Sequence, residues 1–153
     1  MTSSCIEAVS PDAPDVRALL DRHLALMQAQ TPPESCHALP SEALKSDDIV
    51  LFGLRENGTL QGVGALKRYV DYGEIKSMHT FAELRGRGVA RKVLGALLAE
   101  ARAAGLRRVF LETGSGPEHA AARALYASAG FVTCGPFGDY SDDPLSHFMT
   151  LTL

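Results

Sequence analysis

The sequence of 153 residues predicts an α/β fold built on a mixed sheet, antiparallel at its start and parallel in its middle, with helices on its faces. Three observations carry this reading. Two strand-like runs, Ile49–Arg55 and Leu60–Tyr69, flank Asn57-Gly58, the strongest short hairpin signal. The unit Glu74–Thr113 reads strand, loop, helix, strand, and strands joined in this way run parallel through a right-handed crossover. An apolar fraction of 46% beside 22% charged residues is that of an ordinary globular domain, and the length suits one domain over residues 1–153.

In chain order, Cys5–Val9 alternates weakly and predicts a first strand. Asp12 stands where a helix cap is needed, with Asp15 three residues on as its capping-box partner. Val16, Leu19, Leu20, Leu24 and Met27 recur at helical spacing, so Ala13–Gln30 is an amphipathic helix with His23 on or beside its apolar stripe. Thr31–Pro40 holds three prolines and His37. It ends the helix and reads as a substrate-facing loop or a plain connector. A short helix over Ser41–Leu44 precedes the hairpin. In the hairpin's return strand, Gly62 and Gly64 mark a bulge or a close approach of backbone.

Tyr72–Thr80 makes a third consecutive strand, with Glu74 and Lys76 on one face and Ile75 and Ser77 on the other. Val89, Val93, Leu97 and Ala101 then run at spacing four in a helix that closes at Gly105, a good residue just past a helix end. Arg107–Thr113 is a buried strand. Gly114–Pro117 is a turn, with Ser115 or Gly116 as cap and Pro117 suited to the first turn of a helix; Glu118–Ala129 is helical and closes at Gly130. Phe131–Cys134 and Ser146–Leu153 are the last strands, separated by the loop Gly135–Pro144.

A net charge of −3 argues against a nucleic-acid scaffold. No apolar run approaches the ~20 residues of a membrane span, and the polar start, Met1–Pro11, lacks the pattern of a signal peptide. Cys5, Cys36 and Cys134 are scattered and make no C-x-x-C spacing, so a reduced, metal-free, cytoplasmic protein is expected.

The chemistry concentrates at Arg85-Gly86-Arg87-Gly88-Val89-Ala90, between a strand and a helix. Glycine lets backbone N–H groups point outward, and a helix N-terminus adds its positive dipole end. Arg85, Arg87 and Arg91 surround the turn with charge, so the expected ligand bears phosphate. A plain glycine turn with its arginines in solvent fits the same spacing.

These residues resemble a known family. Arg85-x-x-Gly88-x-Ala90, after a strand and opening a helix, resembles the R/Q-x-x-G-x-G/A motif of the GNAT family of N-acetyltransferases. Ala124-Leu125-Tyr126-Ala127-Ser128-Ala129-Gly130-Phe131 is similar to that family's "LY…GF" signature. The resemblance covers Ile49–Phe131, and the strand order extends it to nearly the whole chain. Glu74–Met78, Leu111–Gly114 and Pro136–Tyr140 further resemble a bacterial branch of small-molecule acetyltransferases.

The resemblance implies a splayed GNAT sheet of about six to seven strands and acetyl-CoA as donor, without a metal. The pyrophosphate would sit on Arg85, Gly86, Arg87, Gly88, Val89 and Ala90. The pantetheine arm would lie beside Met78–Thr80, bonding backbone at Met78 and Thr80, as an extended amide chain pairs with a strand. Thr80 and Ala82 stand where many members have Val and Pro, which leaves the backbone donors unchanged. His119 stands where many have Asn; it takes over that contact or is a surface helix residue.

The implied reaction moves an acetyl group to the amine of a small molecule or amino acid by direct attack. A homodimer is compatible with the family. A non-catalytic acetyl-CoA sensor, a hydroxyl acceptor or a longer acyl group share the same motifs. The amine must lose a proton, since a lysine-like amine has a pKa of about 10.4. A Met78 N–H is the natural oxyanion donor. In the family, Tyr126 protonates the departing thiolate; otherwise it is a buried aromatic. Glu74 acts as base, directly or through water, or pairs structurally with Lys76 or an arginine. Glu112 is a further carboxylate that would need a partner if buried. His37, His79 and His147 show no spacing for a metal or a triad. The acceptor pocket is expected among the first helix, the Thr31–Leu44 loop and the Gly135–Ser146 loop.

Overall fold

The computed structural model describes residues 4–81 and 84–153; Ala82 lies outside them. Seven strands form one sheet: β1 (Ser4–Ala8), β2 (Ile49–Glu56), β3 (Thr59–Arg68), β4 (Tyr72–Thr80), β5 (Arg108–Gly114), β6 (Val132–Cys134) and β7 (Ser146–Thr152). Their order is β1-β2-β3-β4-β5-β7-β6. Among the described residues only β4 and β5 pair in parallel; the other pairs are antiparallel. Three helices, α1 (Pro14–Gln30), α2 (Val89–Ala103) and α3 (Ala120–Ser128), complete the fold.

The expected mixed sheet is present, and local chemistry explains its corners. Asn57 (φ 51°) and Gly58 (φ 82°) both take the left-handed conformation that a tight two-residue hairpin turn demands. The start of α1 differs from the expected capping box. Ala13 holds the cap position with no side-chain bond. Pro14 removes one of the N–H groups that would need capping. The Asp15 carboxylate accepts the N–H of Val16 at 2.8 Å and pairs with Arg55. Asp12 is left to pair with Lys45 at 2.8 Å. At the other end of the chain, Ser115 donates to the Pro144 carbonyl at 2.6 Å instead of capping a helix. A short turn, Pro117–His119, precedes α3, which begins two residues later than the pattern predicts.

The sheet separates two cores. On one face α1 buries Val16, Leu19 and Leu20 against Leu51, Val63 and Ala65. On the other, Val93, Leu94, Leu97 and Ala101 of α2 pack on Leu66, Ile75, Val109 and Leu111, with Tyr126 of α3 at the margin. Gly62 and Gly64 permit the close seating of α2. A Cβ on Gly64 would collide with Met78 Sδ and stand 2.8 Å from Val93 Cγ1. The expected bulge is found in β3, where Gln61, next to Gly62, is the extra residue opposite Leu54 and Arg55, and a second bulge lies on β4. Val63 and Ala65 pair with His79 and Lys76, so three steps of β4 span two of β3. Ser77 absorbs the surplus at φ 55°.

The β4 bulge lies where the sheet opens. β4 pairs with β5 only over Tyr72–Ile75 and Arg108–Leu111. Beyond that point β4 continues to Thr80 while β5 stays with β7 as far as Gly114. The stretch Lys76–Thr80 therefore has no β5 neighbour, and a wedge opens between the two parallel strands.

Candidate active site

The wedge is bordered by the turn that starts α2. Gly86 and Gly88 have φ of 82° and 79°, a conformation that side chains rarely adopt. Among the described residues nothing lies within 4 Å of where their Cβ atoms would stand. Gly88 caps α2 without a side-chain bond, and the first turn holds no acidic residue. The first helical bond runs from the Lys92 N–H to the Gly88 carbonyl at 3.1 Å. The N–H groups of Val89, Ala90 and Arg91 precede it and lack helical partners. Free N–H groups at the start of a helix are an arrangement suited to anions. Arg85 and Arg87 are exposed beside it.

From this turn a groove of about 620 Å³ runs to Met78 and Thr80 on β4 and is lined by Arg85, Gly88, Ala90 and Tyr126. Arg87 borders the turn without lining the groove. A second cavity, about 130 Å³, lies across the wedge and is lined by Glu74, Lys76, Glu112, His37, His119 and Tyr140. Met78 and Tyr126 line both. The second cavity draws on the three regions expected for an acceptor pocket, and Ser35 ties two of them together by donating to Asp143 at 2.5 Å. His119 lines this cavity and not the groove; its side chain is 12% exposed, so it turns inward instead of standing on the surface of the helix.

The two carboxylates facing this cavity differ in their bonding. Glu74 is 3% exposed. One of its oxygens accepts from Lys76 Nζ at 2.9 Å and from the Tyr140 hydroxyl at 2.6 Å. The other accepts from Tyr69 at 3.4 Å. Burial, then the Glu74 charge, pushes the Tyr69 phenol up to about 12 and the Tyr140 phenol higher still, so both remain donors. Glu112 has one weak bond, from the Ser146 hydroxyl at 3.3 Å. Burial pushes its carboxyl up to about 7, against the opposing pull of Ser146 and Lys76.

Tyr126 is 6% exposed, and its hydroxyl makes no hydrogen bond among the described residues. Its edge meets Phe131, with centroids 5.9 Å apart. Burial alone raises its phenol, so the proton stays on the oxygen across the whole neutral range.

One pair escaped the sequence reading. His23 of α1 and His79 of β4 meet Nδ1 to Nδ1 at 3.0 Å. Burial pushes both imidazoles down to about 4, so at neutral pH one neutral ring donates to the other. His79 Nε2 is buried with no partner among the described residues. No local signal links residues so far apart in sequence; only the packing of α1 on β4 brings them together. Among the described residues, no group of three His, Cys, Asp or Glu side chains could hold a metal, all three cysteines are free thiols, and no helix is long and apolar enough to cross a membrane.

Comparison with known proteins agrees with this geometry. A sequence model of the acetyltransferase (GNAT) family matches residues 17–131. The uncharacterized N-acetyltransferase YsnE of Bacillus subtilis is 45% identical over 139 residues, covering 90% of this chain and 92% of that protein. The uncharacterized N-acetyltransferase YedL of Escherichia coli is 42% identical over 141 residues, covering 92% and 89%. The crystal structure of a Klebsiella pneumoniae protein described as an acyl-CoA N-acyltransferase superposes with a TM-score of 0.80 at 30% identity, over 98% of this chain and 97% of that one. With its splayed sheet, its open glycine turn at α2 and its long matches to these N-acetyltransferases, the chain belongs to the acetyltransferase (GNAT) family.

Proposed function

We propose that this acetyltransferase moves the acetyl group of acetyl-CoA to the amine of a small molecule or amino acid, by direct attack in a ternary complex, in the cytoplasm. The observation that carries the proposal is that two cavities, one leading from an anion cradle and one lined by carboxylates, meet at Met78 and Tyr126. Such a meeting lets donor and acceptor be held together, which replaces a bimolecular encounter by an oriented one.

In this reading the N–H groups from Arg85 to Ala90 hold the pyrophosphate, with Arg85 and Arg87 adding charge. The unpaired edge of β4 at Met78 and Thr80 pairs with the pantetheine amides. The Met78 N–H donates to the oxygen that gains charge as the acceptor attacks. Tyr126 keeps its proton in the buried site and gives it to the departing sulfur. Glu74 anchors Lys76 and Tyr140 on the acceptor side, so it shapes that wall and its own lone pairs are engaged. His119 closes the same wall between β5 and α3. The small volume of the second cavity, about 130 Å³, suits a compact acceptor.

The test is thiol release from acetyl-CoA in the presence of a panel of small primary amines and amino acids, beside matched alcohols and longer acyl-CoA thioesters. Release that depends on an amine supports the reading. Release with alcohols alone, or with longer acyl groups alone, replaces the acceptor or the donor. Tight acetyl-CoA binding with no thiol from any acceptor makes the chain a sensor and overturns the enzyme reading.

A further inference from the structure

Resting on the amine-acceptor reading, we infer that Glu112 is the base that takes the proton from the acceptor's ammonium group, and that the acceptor therefore enters as a cationic primary amine. Strand register places Glu112. Leu111 is the last residue of β5 that pairs with β4, opposite Ile75. Both side chains face the α2 core, so the next residue, Glu112, faces the other side at the mouth of the wedge. That is the face of Glu74 and Lys76, and all three side chains line the second cavity.

Of the two carboxylates there, only Glu112 can accept a proton without dismantling its surroundings. Glu74 accepts from an ammonium and two phenols, at 2.9, 2.6 and 3.4 Å. Protonating it would leave Lys76, whose side chain is 13% exposed, without its counter-charge. Glu112 accepts one bond of 3.3 Å, from Ser146, and has lone pairs to spare for a bound ammonium.

The groups that face Glu112 set its working range. From β4 come Lys76, which favours the charged form, and Glu74, which opposes it. From the loop before β7, Asp143 also opposes it, and the Tyr140 phenol is neutral. His37 and His119 stand at the cavity wall, where burial pushes His119 down. Burial dominates and brings the carboxyl to about 7, where a base is best matched to neutral pH.

The proton balance follows. The ammonium gives one proton to Glu112 and becomes a nucleophile. As the N–C bond forms, the C–S bond breaks, and the second amine proton leaves in exchange for the proton that the thiolate receives. Glu112 returns its proton to solvent, so one proton is released per turnover.

The test measures kcat/KM against pH for wild type, Glu112→Gln and Glu112→Asp. Two probe acceptors are used, a simple alkylamine and an amino-acid ester whose ammonium is more acidic. An acidic limb that belongs to the acceptor moves between probes; one that belongs to Glu112 stays near pH 7 with both. The expected result is a fixed limb in wild type, lost in Glu112→Gln with a fall of about 10²-fold. Glu112→Asp should restore part of the rate, and calorimetry should give unchanged CoA affinity in both variants. A fixed limb that survives in Glu112→Gln overturns the inference and leaves the acetyltransferase reading intact. Absence of wild-type turnover with every amine overturns both.

Discussion

Replacing Glu112 by Gln should stabilise the fold in the same pH range where it lowers activity. The folded carboxyl holds its proton up to about pH 7, whereas the unfolded one releases it near 4.5. Between those values folding takes up a proton, so wild-type stability falls as pH rises through this window and stays lowered above it. Below about pH 4.5 both states are protonated and the loss vanishes. Gln does not titrate, so its advantage grows from pH 4.5 to 7 and then levels off. The full displacement corresponds to an upper bound of about 3 kcal/mol at 1.36 kcal/mol per unit. The carboxyl's partial exposure at the cavity and the amide's own need for partners reduce this to about 1–2 kcal/mol. Urea unfolding of both proteins at pH 5 and pH 8 measures it, with equal slopes licensing the comparison. An advantage for Gln at pH 8 that does not exceed the one at pH 5 would mean that burial does not hold this carboxyl near neutrality.

Three further outcomes follow from the same structure. Gly64→Ala drives a methyl group into Met78 and against Val93 and Leu97; it should cost about 1–3 kcal/mol of stability by overpacking, and an unchanged urea midpoint would show that α2 is not seated against β3 as described. His23 and His79 titrate near 4 in the fold and near 6.5 when unfolded, so their contribution is present above pH 6.5 and is lost as pH falls toward 4; the double variant His23→Leu, His79→Leu should lose this acid sensitivity of Tm, and an identical pH profile would refute the pairing. Arg85→Glu combined with Gly88→Asp places carboxylates in the anion cradle and should weaken CoA binding by at least about tenfold, read by calorimetry on a folded protein; unchanged affinity would remove the turn from the site.

Much of this was legible in the sequence because it is written in local chemistry. Asn57-Gly58, the spacing-four stripe of α2 and the glycines at 86, 88 and 105 each need only their neighbours to be understood. The resemblance rested on the same local stretches, Arg85–Ala90 and Ala124–Phe131. What was not legible depends on packing between distant elements. The Asp12 box failed because Pro14 removes a donor and Lys45, more than thirty residues away, takes the carboxylate. Gly62 does mark the β3 bulge at Gln61, whereas the second bulge, at Ser77 of β4, is a register fact that no single strand carries. The unequal bonding of Glu74 and Glu112 depends on Tyr69 from the β3–β4 turn, Tyr140 from the loop before β7 and Ser146 from β7, and the His23–His79 pair on a helix laid across a strand.

In the proposed mechanism chemistry occurs where the two cavities meet at Met78 and Tyr126. Tyr126→Phe tests it most directly, because the ring stays to pack against Phe131 while the hydroxyl is lost. An interaction made only in the transition state lowers kcat and kcat/KM together. With a fixed amine and saturating acetyl-CoA, the expected result is a fall of about 10²-fold in both, with acetyl-CoA affinity unchanged by calorimetry. A variant that keeps more than about half its kcat while chemistry limits the rate would contradict it, leaving Tyr126 a packing residue and the departing sulfur to be protonated by water.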